Sequence, residues 1–254
     1  MKSHKLVSII LTSYNEEKNI GRTIKDCQKL KDFPIEIIVV DAASKDSTVE
    51  IAKKMKVDRI LRFPYKRGKG ADFWAGGLVA KGDYIIQIDT DHQFQPYEIP
   101  MFIEALETGA DVVIGTRFDG GKIQKGSITK TNWFGNWVMS ALTSLACNKR
   151  ITDVMAGFKG FRKEAFLALD LRERHFEYEA ETVTKAVKMG MKLVQLPITY
   201  TKRVGGVSGI RALQDGLNVV KQLLKFTLAI YPATQILLVN PLPDVNLILN
   251  SLPQ

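Results

Sequence analysis

Short apolar runs alternate with longer amphipathic stretches through most of the chain. The runs are rich in β-branched residues and lie at 6–11 (LVSIIL), 36–40 (EIIVV), 84–88 (YIIQI), 111–115 (DVVIG) and 192–198 (KLVQLPI). They are apolar at nearly every position, which is typical of strands buried on both faces of a parallel sheet. Segments with helical spacing lie between them, at 16–30, 46–55 and 70–80. This βαβα order predicts an α/β fold with a doubly wound, mostly parallel sheet flanked by helices.

Length and composition agree with a globular protein of this class. The chain has 254 residues, of which 45% are hydrophobic and 25% charged. This balance excludes a disordered, collagen-like or polytopic membrane chain. The two cysteines, Cys27 and Cys147, are far apart and outside any CxxC pattern, so we predict neither a disulfide framework nor a zinc site. A cytoplasmic location is the expectation.

The net charge of +9, from 36 basic and 27 acidic residues, indicates an anionic partner. Nucleic acid, a phosphorylated substrate and an acidic membrane surface would all satisfy it. The most basic stretch, 53–69, has no aromatic residues alternating with its charges for base stacking, and no nucleic-acid module is present. We therefore expect no nucleic-acid partner, and the stretch can equally be a solvated helix face.

Two carboxylates follow the run at 84–88, at Asp89 and Asp91. Residues two apart at the end of a strand point to the same side, so the pair can bind one hard divalent cation, with Gln93 as a third oxygen ligand. Such a cation would neutralise the phosphates of a nucleotide leaving group. The alternative is a surface turn with incidental acids.

Polar residues also follow the first two predicted strands. Tyr14 and Glu16 follow the first strand, and Asp41 and Asp46 follow the second. Ligands of doubly wound sheets bind beyond the carboxyl ends of the strands. We assign Asp41 to a ligand and Asp46 to capping the next helix.

The tripeptide Gly68-Lys69-Gly70 opens a predicted helix and is a candidate phosphate cradle. It also matches part of a dinucleotide fingerprint, but Phe73 replaces the third glycine and the motif follows the third strand instead of the first. An oxidoreductase is therefore disfavoured. With no GxSxG or Cys/His arrangement, the sequence gives no support for a covalent nucleophile.

In their order along the chain, these motifs resemble those of family 2 glycosyltransferases of GT-A fold. The resemblance is nearest to the polyprenyl-phosphate (dolichyl-phosphate) mannosyl- and glucosyltransferases and covers about residues 5–211. It is carried by Tyr14-Asn15-Glu16, Asp41 with Ser44, Gly68 to Ala71, Asp89-Thr90-Asp91 with Gln93, Ile114 to Arg117, Asp153 with Gly157-Phe158, Glu181, Pro197-Ile198, and Arg203 with Gly206 and Ser208.

The resemblance implies an inverting transfer of mannose or glucose from a GDP- or UDP-sugar to a polyprenyl phosphate. By the same likeness, Asp89, Asp91 and Gln93 would hold Mg²⁺ or Mn²⁺ on the diphosphate. Arg203 and Ser208 would close over it, and Arg117 would bind the acceptor phosphate, with Lys130 as an approximate match in the acceptor region. The donor would contact Thr12, Tyr14, Glu16, Asp41, Gly70 and Thr90. Among these residues, Asp91, Arg117 and Arg203 are the candidates for catalysis.

The identity of the acceptor decides whether a protein base is needed. A lipid phosphate is already an anion and can attack the anomeric carbon without one. A soluble or glycan hydroxyl acceptor would need a carboxylate base, for which Glu179 or Glu181 is the candidate. A catalytically silent nucleotide-sugar-binding module is the third hypothesis.

The predicted organisation is a catalytic domain at 1–211 followed by an amphipathic helix and irregular tail at 212–254. From Leu213 onward, apolar positions follow one helix face. This face predicts peripheral contact with the inner face of the cell membrane; docking on the protein's own domain, or a homo-oligomer contact, is the alternative. A further helix is predicted at 131–147, where Trp133, Phe134 and Trp137 lie close together.

Overall fold

The computed structural model describes residues 5–205. Ser208 and the predicted helix and tail at 212–254 lie outside this range. The elements in chain order are β1 Val7–Ser13, α1 Ile20–Cys27, β2 Ile35–Ala42, α2 Thr48–Lys54, β3 Arg59–Phe63, α3 Lys69–Val79, β4 Tyr84–Gln87, a 3₁₀ turn Pro96–Glu98, α4 Ile99–Glu107, β5 Val112–Thr116, β6 Lys122–Ile123, α5 Lys130–Cys147, β7 Lys159–Arg162, α6 Lys163–Leu169, α7 Glu177–Lys188, β8 Leu193–Pro197 and β9 Thr199–Tyr200.

The main sheet has seven strands in the order β3-β2-β1-β4-β7-β5-β8. All neighbours are parallel except β7, which runs antiparallel between β4 and β5. The predicted mostly parallel α/β sheet is confirmed. The apolar pattern does not reveal β7, because this strand begins with a fully buried charged residue, Lys159.

Both faces of the sheet are covered by helices. Along β1, Ile9 and Leu11 pack with α1 and α4 on one face, whereas Ile10 packs with α3 and α7 on the other. All three side chains are fully buried, which explains why the strand is apolar at successive positions. The apolar run at 6–11 therefore corresponds to a central strand of the sheet.

Two glycines let helix α3 lie close to strand β1 and to helix α6. A Cβ on Gly76 would lie 2.7 Å from Cγ2 of Ile10, and a Cβ on Gly77 would lie 2.1 Å from Cζ of Phe166. A larger side chain at either position would push the helix outward. The close approach brings the start of α3, at Lys69, to the carboxyl edge of β4.

Strand order reverses at β1. The chain passes outward through β2 and β3, and β4 then pairs with the opposite side of β1. In doubly wound sheets a crevice opens at such a reversal, beyond the carboxyl ends of the two strands. Here that crevice lies between the segment after Ser13 and the segment after Gln87.

A second, two-stranded sheet pairs β6 with β9. An additional bridge between Phe94 and Tyr200 ties β9 to the segment after β4. This arrangement carries Arg203, three residues after β9, back to the crevice. No helix within residues 5–205 is long and apolar enough to span a bilayer.

Candidate functional site

Two carboxylates and one guanidinium meet at the crevice between β1 and β4. Arg203 Nη1 lies 3.5 Å from Oδ2 of Asp91, and its Nη2 forms an ion pair with Glu16. Glu16 is held in turn by the side-chain amide of Asn19, whose Nδ2 donates to Oε2 at 2.9 Å. Glu16, Asp91 and Arg203, which follow the first, fourth and ninth strands, therefore lie together at the crevice.

Asp89 is paired with the lysine that begins α3. Lys69 Nζ lies 2.7 Å from Oδ1 of Asp89 and 3.3 Å from Oε1 of Glu179. Glu179 also forms a buried ion pair with Lys159 and accepts a 2.6 Å hydrogen bond from the Tyr178 hydroxyl. Lys69 thus links the crevice to a fully buried charge pair beneath it.

The negative charge of the crevice affects the pKa values of its ionisable groups. Burial, followed by the charge of Asp89, raises the pKa of Asp91 to about 6. Burial also raises the pKa of Glu16, and Asn19 and Arg203 offset only part of this effect. For Lys69, burial by itself would lower the pKa, but the carboxylates of Asp89 and Glu179 outweigh it and raise the pKa. The crevice is therefore an acidic site that is stabilised by cations.

The pair Asp89 and Asp91 fits a divalent cation that is shared with a phosphate. Within residues 5–205, no three His, Cys, Asp or Glu side chains converge on one point as a complete cation site. Mg²⁺ is commonly bound by only one or two carboxylates, with phosphate oxygens and water completing the shell. The crowding of Asp91 by Asp89 is the kind of repulsion that such a cation would relieve.

Gln93 has contacts different from those expected of a metal ligand. Its Oε1 accepts a 2.9 Å hydrogen bond from the Tyr200 hydroxyl, and its Nε2 donates to the carbonyl of Thr201 at 3.0 Å. Gln93 therefore ties β9 to the segment after β4. Its neighbour His92 binds Asp26 on α1, with Nε2 2.8 Å from Oδ2.

A second pocket of polar groups follows β1 and β2. Asp41 is fully buried; its Oδ2 accepts from the Ser44 backbone N–H at 3.0 Å, and its Oδ1 has no hydrogen-bond partner within residues 5–205. A buried carboxylate oxygen without a partner is costly, so Asp41 is a good candidate to accept a hydrogen bond from a ligand. Asp46 instead accepts from the backbone N–H of Thr48 at the start of α2, as predicted for a cap.

The turn after β1 is joined to this pocket by Asn15. This residue has a positive φ of 52°, which asparagine tolerates better than most side chains. Its backbone N–H donates to Oγ of Ser44 at 2.9 Å, and its Oδ1 accepts from the backbone N–H of Lys45 at 2.8 Å. The adjacent Tyr14 ring lies under Lys66, with Nζ 3.4 Å from the ring centroid. Thr12 and Thr90 join β1 to the acidic segment through a 3.0 Å hydrogen bond from Thr90 Oγ1 to the Thr12 carbonyl.

The glycines at the start of α3 pack against protein backbone. A Cβ on Gly68 would lie 2.3 Å from the carbonyl oxygen of Arg174, and a Cβ on Gly70 would lie 2.3 Å from that of Glu173. The backbone N–H of Ala71 donates to the Arg174 carbonyl at 3.1 Å. The expected phosphate cradle is thus partly filled by the segment before α7, and Lys69 is the residue of this motif that reaches the crevice.

Arg117, directly after β5, is fixed by a buried aspartate. Its Nε and Nη2 donate to the two carboxylate oxygens of Asp153 at 2.7 and 2.8 Å, and its backbone N–H donates to the same group at 2.9 Å. The guanidinium carbon also lies 4.9 Å from the centroid of the Tyr200 ring. Such a fixed guanidinium is suited to binding an oxyanion in one orientation.

The two glutamates considered as catalytic bases are held by protein groups. Glu179 is engaged by Lys159, Lys69 and Tyr178, as described above. Glu181 accepts from the backbone N–H groups of Arg172 and Glu173 at 2.8 to 3.1 Å, and pairs with Lys185 at 2.8 Å. Both side chains are buried, and Glu181 holds the loop before α7.

Lys130 is the first residue of α5 and is exposed. Thr129 caps this helix by accepting from the backbone N–H of Asn132 at 3.1 Å. Lys130 adjoins a shallow apolar cavity of about 480 Å³ lined also by Ile123, Ile128, Thr129, Trp133 and Phe134. No contact between Lys130 and Arg117 is present among the described residues.

Sequence reasoning missed three participants. The sequence points to Lys69 only within a glycine motif and to Asp153 only through the family resemblance, and it does not point to Tyr200. Lys69 and Asp153 are charged residues beside otherwise apolar elements. This contrast is a signal from which their part in the site could be predicted. Nothing in the local pattern of Thr199–Tyr200 indicates a role for Tyr200.

A mostly parallel, helix-flanked sheet with paired aspartates at the reversal of strand order defines the GT-A fold of glycosyltransferases. The chain belongs to this class. More particularly, residues 8–169 match the model of Glycosyl transferase family 2, and the chain is a member of that family. The predicted family and fold are confirmed.

Relatives in this family include enzymes with named lipid acceptors. The chain is 29% identical to the dolichol-phosphate mannosyltransferase of Pyrococcus furiosus over 227 residues, 87% of this chain, and spans 64% of that longer protein. It is 29% identical to the undecaprenyl-phosphate mannosyltransferase of Micrococcus luteus, covering 80% of this chain and 86% of the relative.

Solved structures support the fold. Glucosyl-3-phosphoglycerate synthase from Mycobacterium tuberculosis, crystallised with Mn²⁺ and UDP, superposes with a TM-score of 0.69 at 20% identity and covers 88% of this chain and 80% of that one. Mannosyl-3-phosphoglycerate synthase from Rubrobacter xylanophilus gives a TM-score of 0.67 at 19% identity, covering 87% and 73% of the two chains.

Proposed function

We propose that the protein transfers a hexose, mannose or glucose, from GDP- or UDP-sugar to a polyprenyl phosphate, with inversion at the anomeric carbon. The observation that carries this proposal is the convergence of Asp89 and Asp91 with Lys69 and Arg203 at the crevice. Two acids beside two cations suit a diphosphate bound through a metal ion. The lipid acceptors named for the Pyrococcus furiosus and Micrococcus luteus relatives support the choice of acceptor.

In this proposal Asp89 and Asp91 hold Mg²⁺ or Mn²⁺, and the bound ion neutralises charge on the leaving diphosphate. Gln93 would join them only by giving up its hydrogen bond from Tyr200. Arg203 lies against Asp91 and Glu16, from which it can turn to the diphosphate. The proposed role of Ser208 is to close over the same group.

The nucleoside would lie between the ends of β1 and β2. Asp41 offers its unpartnered oxygen to a ribose or base, and Tyr14, already stacked under Lys66, offers an aromatic face. Thr12, Glu16 and Thr90 would contact the donor between this pocket and the acidic pair. Gly70 contributes through the close packing that places Lys69, not through an open backbone surface.

The acceptor phosphate would bind at Arg117, with Lys130 as a further cation on the acceptor side. Because a phosphate monoester is anionic at neutral pH, its attack on the sugar needs orientation and charge stabilisation but no protein base. The buried and fully engaged state of Glu179 and Glu181 supports this choice over a hydroxyl acceptor. The reaction would take place at the cytoplasmic face of the membrane.

Radiolabelled GDP-mannose and UDP-glucose, each with Mn²⁺ or Mg²⁺ and a polyprenyl phosphate, provide the direct assay. We expect label from one donor to enter the organic phase, and to be lost with Asp91→Ala or with a chelator. If neither donor labels the lipid, the proposal is wrong; transfer to a soluble acceptor would favour a hydroxyl-directed enzyme. Metal-dependent nucleotide binding without turnover would favour a binding module.

A further inference from the structure

Helix α5 is amphipathic, but its polar face is buried and its apolar face is exposed. Its buried face carries Asn136, Ser140 and Thr143, together with Met139, whereas its outer face carries large apolar side chains. The exposed fractions are 49% for Trp133, 58% for Phe134, 56% for Trp137 and 82% for Leu145. In a water-soluble helix packed on a domain, the opposite arrangement is expected.

The polar inner face has a structural explanation within the domain. Asn136 Oδ1 accepts from the backbone N–H of Met155 at 3.2 Å, and Ser140 Oγ accepts from that of Val154 at 3.0 Å. These bonds fix the loop that carries Asp153, and therefore Arg117. The polar side chains of the inner face thus form hydrogen bonds within the domain, and the apolar side chains of α5 face outward.

The outer face forms a continuous aromatic surface. Phe134 and Trp137 stack with ring centroids 6.0 Å apart, and Trp133 contacts Phe118 edge to face at 6.4 Å. The apolar cavity of about 480 Å³ beside Trp133 and Phe134 extends this surface to Ile123 and Ile128. Exposed apolar patches of this kind mark sites of interaction. We call it the α5 surface.

The charges in the chain segment that contains the α5 surface are almost all positive. From Phe118 to Thr152 the sequence contains one acidic residue, Asp119, which pairs with Arg150. No charged residue occurs between Lys130 and Lys149. The exposed basic residues of this segment are Lys122, Lys125, Lys130, Lys149 and Arg150.

We propose that the α5 surface binds an anionic lipid bilayer, with Trp133, Phe134, Trp137 and Leu145 entering the headgroup region. Tryptophan is enriched at that depth of a membrane, and helices with an apolar face and basic flanks lie in the interface. Clustered lysines add attraction to anionic headgroups. The neutral, aromatic centre with a basic rim matches this partner in both chemistry and charge.

The position of the surface connects it with the proposed reaction, on which its biological purpose rests. The Phe118 ring contacts Trp133, and its centroid lies 5.2 Å from the guanidinium carbon of Arg117. A bilayer against α5 would therefore place lipid headgroups next to the residue proposed to bind the acceptor phosphate. The membrane contact expected from the sequence concerns residues 212–254, which lie outside the described range; the α5 surface is a separate contact.

Tryptophan fluorescence can test the contact directly. The chain has three tryptophans; the third, Trp74, packs on Phe166 at 4.8 Å, so Trp74→Phe in the full chain leaves only the two on α5. Vesicles of phosphatidylcholine and phosphatidylglycerol, free of polyprenyl phosphate, should shift the emission to the blue. Brominated acyl chains should quench it. Absence of both effects would overturn the proposal.

Matched variants test whether vesicle binding depends on the α5 surface or on nonspecific adsorption. Phe134→Ser with Trp137→Ser should weaken sedimentation with the anionic vesicles at least tenfold, and Lys125→Gln with Lys149→Gln should reduce the salt dependence of that binding. Tyr97→Ser, which removes an aromatic side chain that is 65% exposed outside α5, should bind like the parent chain. Equal binding by the Phe134/Trp137 variant and the parent would contradict the proposal.

Two other occupants of the surface would also be detected. If iodide fails to quench the α5 tryptophans in the lipid-free protein, the surface is already covered, by residues beyond 205 or by a second copy, and the proposal is wrong. Binding to vesicles needs neither donor nor acceptor. Failure of sugar transfer would therefore overturn the proposed function without contradicting the membrane contact. Failure of vesicle binding would overturn the membrane contact without contradicting the proposed function.

Discussion

The ammonium group of Lys69 lies 2.7 Å from Oδ1 of Asp89, on the carboxylate proposed to hold a metal ion. The same ammonium is 3.3 Å from Glu179, so it has a second carboxylate to turn to when a divalent cation binds Asp89. Lys69 is therefore a built-in counter-ion that keeps Asp89 in place in the absence of metal.

Replacement of Lys69 by methionine should expose this relationship. Glu179 and Asp89 would each lose a counter-charge, and we expect a loss of about 2 kcal/mol in the free energy of unfolding. The affinity for a metal ion should instead increase, because Asp89 no longer has a competing cation. Calorimetry with Mn²⁺ should show tighter binding than in the parent, and added Mn²⁺ should recover part of the lost stability. Unchanged Mn²⁺ affinity would argue against competition at Asp89.

Gly157 is the close neighbour of the same carboxylate. A Cβ at this position would lie 2.3 Å from Oδ2 of Asp89, so Gly157→Ala must displace the carboxylate. We expect Mn²⁺ affinity to fall at least tenfold, with only a small change in melting temperature, because the side chain of Asp89 can rotate away.

Gly135 provides the matched control for this substitution. It lies inside α5, and a Cβ there would meet nothing within 4 Å. Gly135→Ala should leave Mn²⁺ binding unchanged and should stabilise the protein by about 0.5–1 kcal/mol, because alanine favours the helix. A similar loss of metal binding in both variants would show that the effect is not local to Asp89.

The raised pKa of Asp91 predicts that ionisation of this carboxyl group lowers the free energy of unfolding. Burial and the charge of Asp89 raise this pKa to about 6, so the folded state holds the proton more tightly than the unfolded state. Stability should therefore fall as pH rises from about 4 to about 6, and the cost should be complete above that range. Asp91→Asn carries no such charge and should be more stable than the parent at pH 7.5 by about 2 kcal/mol, or roughly 4–8 °C.

Thermal unfolding at several pH values in the absence of metal tests this prediction. The advantage of Asp91→Asn should shrink as the pH is lowered towards 4, where the parent carboxyl is also neutral. The same variant should lose sugar transfer, because an amide is a poor ligand for the cation. A stability difference that does not depend on pH would contradict the assignment.

The fixed orientation of Arg117 predicts that lysine cannot replace it. Lysine retains the charge but loses the planar fork that binds both oxygens of Asp153. We expect kcat/KM for the polyprenyl phosphate to fall about 100-fold in Arg117→Lys, with the dissociation constant of the nucleotide unchanged. Arg150→Lys, at an arginine that is exposed and pairs with Asp119, is the control and should keep the parent value. Weaker nucleotide binding in Arg117→Lys would instead place this residue on the donor side.

Much of the fold is determined by the sequence alone. Strands such as Val7–Ser13 and Ile35–Ala42 are buried on both faces, and only continuous apolar runs satisfy such positions, so the pattern identifies them. The polar residues after these runs, including Asp41, Asp89 and Asp91, could be assigned to one edge of the sheet because parallel strands place their carboxyl ends together.

The tertiary structure decided what those residues contact. Lys69 reaches Asp89 because the glycines of α3 allow that helix to lie close to the sheet, and Arg117 is fixed because the 153–155 loop folds against the polar face of α5. Gln93 is held by Tyr200, which is 107 residues away in the sequence. Such pairings depend on contacts between distant elements, which local periodicity does not encode. The outward direction of the α5 aromatic side chains is also not encoded by local periodicity, because it depends on which face of the helix packs against the domain.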